Sequence, residues 1–147
     1  MRLSTKATYG TRAMLDLAIR SGEGPVLVKD IARRQGFSAR YLEQLLLPLK
    51  AAGLVRATRG ARGGFSLARA PSEINLGEIV QIMEGSIAPV ECVDDAGACS
   101  RADLCITREV WGELKKAMDG VLESTTLQDL VERQKSKEQS AEAMYHI

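Results

Sequence analysis

The sequence predicts a mainly α-helical fold with one small β-hairpin. Over most of the 147 residues, apolar side chains recur at intervals of three and four, as on the buried face of a helix. Two short extended runs, residues 54–58 and 65–68, instead flank a glycine-rich basic tip and predict a hairpin. A short turn containing Gly36 separates the two helices before this hairpin. Together these observations predict a helix-turn-helix followed directly by a wing.

The first two predicted helices have recognisable ends. Ser4 or Thr5 can cap a helix that runs to about residue 20. A shorter helix follows over about residues 28–35, and Gly36 is suited to end it because glycine adopts the left-handed conformation of a helix C-terminus.

The third helix, which Ser38 can cap, is predicted to enter the major groove of DNA. Its buried stripe consists of leucines at i, i+3, i+4 and i+7, namely Leu42, Leu45, Leu46 and Leu49. The second helix of a helix-turn-helix presents its N-terminal residues to base edges. The stripe leaves four such residues outside the core, namely Arg40, Tyr41, Glu43 and Gln44. Tyr41 could instead pack at the start of the helix, and Glu43, which repels phosphate, could be merely solvated.

The hairpin is predicted to place two arginines at its tip, Arg59 and Arg62. A narrow minor groove attracts arginine through its negative potential, so both residues suit that groove. Arg62 could instead simply occupy a turn. Near the N-terminus, Arg2 and Lys6 are candidates for phosphate contacts, which position a protein on DNA without reading its sequence.

The second half of the chain is predicted to contain a helix, a loop and a long helix. Asn75 and Glu78 have the spacing of a capping box and open the first helix. Residues 86–103 lack apolar periodicity and predict a loop. Residues 104–122 are strongly helical in pattern, and more apolar than a lone surface helix requires.

Charge is divided between the two halves of the chain. Residues 1–75 carry 13 Lys and Arg against 5 Asp and Glu, a balance of +8, whereas residues 76–147 carry 7 against 14, a balance of −7. Such asymmetry indicates either a polyanionic partner for the first half or two differently solvated surfaces. Combined with the helix-turn-helix and the basic wing, it favours double-stranded DNA as the partner.

Several classes of protein are not expected. No run of eighteen residues lacks a charge, which excludes a membrane-spanning helix, and no apolar segment follows the N-terminal Arg2 and Lys6, so a cytoplasmic protein is expected. The only histidine is His146, which leaves almost no means of building a Cys–His catalytic pair. The wing glycines lie between strands rather than between a strand and a helix, unlike a phosphate-binding loop. We therefore expect no enzyme.

Three cysteines, Cys92, Cys99 and Cys105, lie within fourteen residues. In a cytosolic protein such a group more often binds a metal or undergoes redox chemistry than forms a structural disulfide. Zinc prefers four ligands arranged in close pairs, a pattern that is missing here. Soft thiolates on a loop suit an iron–sulfur cluster, whose ligand spacing is loose. Three unligated thiols remain the alternative.

The chain resembles the family of winged-helix regulators that includes IscR, NsrR and RirA, with the cluster-free CymR as a relative. The resemblance covers about residues 1–132 and rests on the opening MRLSTK, the run Ser38–Leu45, the tip Arg59–Phe65 and the three-cysteine loop. It implies a homodimer in which the helix after the cysteines crosses to the partner, and a cluster on the three cysteines that changes operator affinity. It also implies operator contacts at Ser38, Arg40, Tyr41, Glu43, Gln44 and Arg59.

The sequence departs from the family pattern at the fourth cluster ligand. IscR-like members have a histidine three residues after the third cysteine, but Arg108 stands here and cannot ligate a metal because guanidinium stays protonated. NsrR-like members use an acid near position 8, where this chain has Thr8. The remaining candidates are Glu91, Asp94, Asp95, Asp103 and His146. Three thiolates without a strong fourth ligand favour a 4Fe–4S cluster over a 2Fe–2S cluster, similar to RirA.

The expected organisation has three parts. Residues 1–72 form the winged helix-turn-helix, residues 73–132 hold the cluster loop and dimerisation helices, and residues 133–147 form a flexible tail after a last short helix that Thr126 can cap. One alternative is a winged-helix regulator without a cluster, which senses thiol oxidation or a protein partner. Another is a dimeric interaction protein that binds no DNA and uses Trp111, Leu114 and Met118.

Overall fold

The computed structural model describes residues 2–145 and is mainly α-helical with one small antiparallel sheet, as predicted. Its helices and strands are α1 (Thr5–Ile19), α2 (Val28–Gln35), α3 (Ala39–Ala51), β1 (Val55–Thr58), β2 (Gly64–Leu67), α4 (Leu76–Glu84), α5 (Glu91–Asp94), α6 (Ile106–Ser124) and α7 (Leu127–Tyr145). Single turns of 3₁₀ helix occupy Pro71–Glu73, Ala96–Ala98 and Ala102–Leu104. No described helix combines the length and apolar character needed to cross a membrane.

The predicted helix starts are confirmed by their side-chain caps. Ser4 Oγ accepts a hydrogen bond from the Ala7 amide at 3.3 Å, and Ser38 Oγ accepts one from the Tyr41 amide at 3.1 Å. Asn75 and Glu78 form both bonds of a capping box at the start of α4. Each cap satisfies an amide that the helix itself leaves unpaired, so these starts are determined locally.

The core is built around α1, which packs against α3, α4 and α7. The leucine stripe predicted in α3 is fully buried, together with Met14 and Leu17 of α1, Ile79 of α4 and Leu127 of α7. Burying one such side chain stabilises the fold by roughly 1.5–3 kcal/mol. The helix that carries the predicted base contacts is therefore held along its whole length by the core.

An ion pair at the edge of this core ties α1 to α2. Asp16 is only 3% exposed, and Arg34 donates to its two carboxylate oxygens at 2.9 and 2.7 Å. Gln35 Nε2 donates a third bond to Asp16 at 3.1 Å. Burial raises the pKa of Asp16, but the bonds from Arg34 and Gln35 outweigh burial, so the pKa lies below its ordinary value. Asp16 therefore stays ionised and fixes the first helix of the helix-turn-helix.

The wing is anchored to the segment before α2. Val55 pairs with Leu67 and Thr58 pairs with Gly64 in the antiparallel hairpin. Val26 adds a further bridge, since its amide and carbonyl exchange hydrogen bonds of 2.8 Å with Phe65. A Cβ at Gly64 would lie 2.2 Å from the carbonyl oxygen of Val26, and the φ of Gly64 is +147°. This close approach requires glycine.

The second half differs from the prediction in two places. The predicted loop over residues 86–103 contains α5 and short 3₁₀ turns. The last helix, expected to be short, continues to Tyr145 as α7, so the segment expected as a tail is helical within the described residues. Its flexibility stays a prediction. This helix contains no glycine or proline, is rich in strong helix formers, and is anchored by the buried Leu127 and Val131.

Candidate DNA interface and cysteine loop

The outward face of α3 carries the predicted base-reading side chains. Arg40, Glu43 and Gln44 are exposed, while the leucine stripe faces the core. Ser38 is exposed at the N-terminus of the helix, where its oxygen caps α3. A residue that the sequence analysis missed is Leu47, which is 60% exposed and follows Arg40 and Glu43 at helical spacing. Apolar side chains can read the methyl group of thymine, so the same spacing could have identified it.

Tyr41 packs at the start of α3, which is the alternative to a base contact given above. Its ring lies edge-on to the rings of Tyr9 and Phe37, with centroids 6.1 Å away in both cases. Tyr9 and Phe37 stack on each other at 5.2 Å. This cluster joins α1, the turn and the start of α3. A base contact by Tyr41 stays a prediction.

Arg12 supports the same turn from α1. Its Nε donates to the Gln35 side chain at 3.1 Å, and its Nη2 donates to the Gln35 carbonyl oxygen. Its guanidinium carbon lies 5.3 Å from the centroid of the Tyr9 ring and 5.8 Å from that of Phe37. Sequence reasoning missed this role because Arg12 and Gln35 are distant in the chain. Arg12 therefore helps to fix the end of α2 relative to α1.

The wing tip and the N-terminal segment expose the other predicted DNA contacts. Arg59 and Arg62 are exposed in the turn between β1 and β2, which the Gly63 amide closes by donating to the Gly60 carbonyl at 2.9 Å. Arg2 and Lys6 are also exposed. Exposure leaves these charges accessible to phosphates or to a groove.

The three cysteines lie on one segment but are not assembled into a metal site. Cys92 lies in α5 and Cys105 directly precedes α6, both half-buried, while Cys99 is exposed between them. All three thiols are free. Within residues 2–145, no group of three or more Cys, His, Asp or Glu side chains is arranged to hold a metal ion. The three thiols therefore do not converge on a single ion in this arrangement.

The local chemistry of the loop fits an iron–sulfur cluster. The Sγ of Cys105 lies 3.1 Å from the Thr107 hydroxyl, and this bond, aided by the Arg108 amide, lowers the pKa of the Cys105 thiol. The thiolate is the form that binds metals and reacts with oxidants. Three free thiols on one segment, one of them biased towards the thiolate, are a suitable donor set.

The candidate fourth ligands differ in the hydrogen bonds that their side chains already make. Asp94 accepts a hydrogen bond from the Ser86 hydroxyl, and Asp95 accepts one from the Gly97 amide at 2.9 Å. The Thr8 hydroxyl donates to backbone carbonyl oxygens of its own helix. Glu91 and Asp103 are exposed and make no side-chain hydrogen bond to another described residue. His146 lies outside the described residues.

Arg108 lies against the loop from the first turn of α6. Its Nε donates to the carbonyl oxygen of Cys92 at 2.9 Å, and its Nη1 donates to that of Ala102 at 3.2 Å. The guanidinium therefore bridges two points of the chain that lie on either side of Cys99.

The long helix α6 presents an unpartnered apolar surface. Among the described residues of this 19-residue helix, none is buried. Exposed large apolar side chains on it and just before it are Leu104, Ile106, Val110, Trp111 and Val121. The excess apolar character predicted from the sequence is thus at the surface of the single chain.

Comparison with known proteins gives one consistent family. The profile described as "Rrf2: Iron-dependent Transcriptional regulator" matches residues 3–133. The protein Rrf2 of Nitratidesulfovibrio vulgaris is 46% identical over 131 residues, which cover 89% of this chain and 87% of that protein.

Two solved structures are similar in both sequence and fold. The structure of CymR, described as the global cysteine regulator of B. subtilis, has 43% identity and a TM-score of 0.78 over 90% of this chain and 98% of that one. The structure of T. potens IscR has 44% identity and a TM-score of 0.76 over 90% of this chain and 88% of that one. Curated proteins named CymR and IscR that match this chain are called HTH-type transcriptional regulators, not enzymes.

Proposed function

Because the chain belongs to the Rrf2 family of transcriptional regulators, we propose that an iron–sulfur cluster on Cys92, Cys99 and Cys105 controls its affinity for operator DNA. The observation that carries the proposal is the placement of three free thiols on one short segment, with the Cys105 thiol biased towards the thiolate. The family description as iron-dependent and the similarity to IscR support it.

The proposed operator contacts lie on the recognition helix, the wing and the N-terminal segment. They are Arg2, Lys6, Ser38, Arg40, Tyr41, Glu43, Gln44, Arg59 and Arg62. The exposure of the charged residues in this set supports the assignment. Contacts from α3 would read base edges in the major groove, and contacts from the wing would enter the minor groove.

Control of DNA binding would pass through the helices that flank the loop. The loop leaves α4, which packs on α1 and α3, and ends at α6, against which α5 packs. When bound, a cluster would supply a redox-sensitive crosslink between the thiols. Ordering the loop would bias the positions of α4 and α6, and hence the spacing of two recognition helices, which must match half-sites about one helical turn apart.

A homodimer is part of the proposal. The exposed apolar residues of α6 support it, because a large apolar surface on a small protein commonly marks an interface. With α6 crossing to a second copy, the dimer would present two recognition helices to a two-fold symmetric operator.

Anaerobic purification of the full chain tests the cluster. We expect a brown protein with broad visible absorption and about four irons per protomer, since three thiolates without a strong fourth ligand favour a 4Fe–4S cluster. Cys99→Ala should abolish cluster binding, whereas Ser100→Ala, a change at the neighbouring exposed residue, should not. Iron and sulfide analysis of the three proteins gives the result. A natively loaded 2Fe–2S species would contradict the cluster type, and an intact cluster in Cys99→Ala would contradict the ligand assignment.

A second candidate is regulation by the thiols themselves, without a cluster. The lowered pKa of Cys105, the exposure of Cys99 and the similarity to CymR favour it. A colourless protein that cannot be loaded with iron and sulfide, but whose DNA affinity changes on mild oxidation, would support this candidate over the first.

A further inference from the structure

The loop that carries the cysteines has little packing of its own. Between Glu91 and Cys105, Ala102 is the only buried residue. The segment around Cys99 is exposed from Asp94 to Arg101. Hydrophobic burial therefore contributes little to holding the two ends of this loop together, which leaves a large share to local hydrogen bonds.

Arg108 donates hydrogen bonds at both ends of this loop. Its Nε donates to the carbonyl oxygen of Cys92, before Cys99, at 2.9 Å, and its Nη1 donates to that of Ala102, after Cys99, at 3.2 Å. The planar guanidinium can bond two acceptors at once in a fixed geometry, which lysine cannot reproduce. Its position within the helix also needs explanation, because the first turn of a helix favours negative rather than positive charge.

The three thiols are constrained unequally. The backbone of Cys92 is bonded to Arg108, and the Cys105 sulfur is bonded to Thr107 at the start of α6. Cys99 is exposed, and among residues 2–145 its sulfur has no hydrogen-bond partner comparable to that of Cys105. Cys99 is therefore the least constrained of the three cysteines.

We propose that Arg108 is a positioning residue for the cysteine loop, residues 91–105. Its two hydrogen bonds hold the two ends of this loop together at Cys92 and Ala102, and they leave Cys99 as the least constrained cysteine. This inference deepens the proposed function and rests on it only where it concerns ligand binding. The side chain of Arg108 thus organises the backbone on both sides of Cys99 before anything binds.

The experiment uses full-length, reduced, metal-free protein. Arg108→Ala is compared with the wild type and with Arg101→Ala, which removes an exposed arginine of the same loop whose side chain makes no hydrogen bond within residues 2–145. The readouts are backbone hydrogen–deuterium exchange and the alkylation rate of each cysteine by N-ethylmaleimide, measured by mass spectrometry.

We expect faster backbone exchange in residues 91–94 and 102–104 of Arg108→Ala. N-ethylmaleimide should alkylate Cys92 about tenfold faster in this variant, a rate change equivalent to ~1.4 kcal/mol in the free energy of opening the loop. Alkylation of Cys99 should change little, because this thiol is already exposed. Arg108→Lys should give an intermediate result, since one ammonium group cannot reproduce both bonds. Exchange in α1 to α3 should be unchanged, which separates loop opening from general unfolding.

Equal exchange and equal Cys92 alkylation in Arg108→Ala, Arg101→Ala and the wild type would overturn the inference. Iron and sulfide loading of the same proteins distinguishes this failure from failure of the proposed function. If the loop opens in Arg108→Ala but even the wild type cannot be loaded, the positioning role stands and the cluster proposal falls. If the wild type is loaded and the loop is unaffected by Arg108→Ala, the cluster proposal stands and the positioning role falls.

Discussion

The guanidinium groups of Arg12, Arg34 and Arg108 donate hydrogen bonds within the protein. Each carries the same charge as an arginine at the proposed DNA interface, but its donors are already in use. Arg34 is paired with a buried aspartate, and the other two donate to backbone carbonyl oxygens. Each has a partner 16 to 23 residues away in the chain, so counting charges could not separate the two groups. The arginines that the sequence predicts as DNA contacts are exposed, namely Arg2, Arg40, Arg59 and Arg62.

Replacing Arg59 by Ala should weaken specific DNA binding more than non-specific binding. An arginine in a narrow minor groove senses groove shape, and losing such a contact costs about 1–3 kcal/mol for the specific duplex. The measurement is fluorescence anisotropy with a duplex selected from a random library and with a scrambled duplex, across a salt series. Arg133→Ala on α7 is the control and should change neither affinity. Equal losses on both duplexes would reduce Arg59 to a phosphate contact.

At the scale of helices and strands, features set by nearby residues could be predicted from the sequence. Features that depend on contacts between distant parts of the chain could not. The caps at Ser38 and Asn75 and the leucine stripe of α3 follow from spacings of three and four residues. The bridge from Val26 to Phe65 joins segments about forty residues apart, and no short-range pattern indicates it. α7 is longer than the short helix expected from the sequence, because a polar segment without helix breakers can extend an anchored helix.

The wing offers a test of this long-range contact. Gly64→Ala should lower the free energy of unfolding by about 3 kcal/mol or more, because it combines an unfavourable φ with a clash against the Val26 carbonyl. Gly22→Ala is a matched control, since Gly22 also has a positive φ, +90°, but no atom of the described chain lies within 4 Å of its Cβ position. The control should cost only about 1 kcal/mol. Urea unfolding followed by circular dichroism measures both, and similar losses would show that the Val26 contact does not constrain the wing.

At the scale of the whole molecule, charge and apolar surface are divided between the two halves of the chain. The first half carries the excess of +8 together with the helix-turn-helix and wing, and the second half carries the excess of −7 together with α6. This division follows from composition alone and was predictable. The homodimer is expected from the family resemblance and from the excess apolar character of residues 104–122, whereas periodicity alone does not distinguish α6, which has no buried residue in the single chain, from a helix packed in a core.

Val110→Glu should separate the proposed dimer into protomers. Val110 is 50% exposed in the single chain, so a carboxylate there remains solvated in the monomer and should leave its fold intact. In an interface along α6 the same carboxylate would be buried without a partner, at a cost of several kcal/mol, enough to raise the dimer dissociation constant by about 100-fold or more. Glu109→Gln, at the neighbouring exposed position, is the control that alters charge without adding a buried ion. Sedimentation equilibrium measures the mass, and anisotropy with a two-half-site duplex should show a parallel loss of DNA affinity, because a protomer can occupy only one half-site. A variant that remains as dimeric as the wild type would place the interface elsewhere, and α6 would then need another partner for its apolar face.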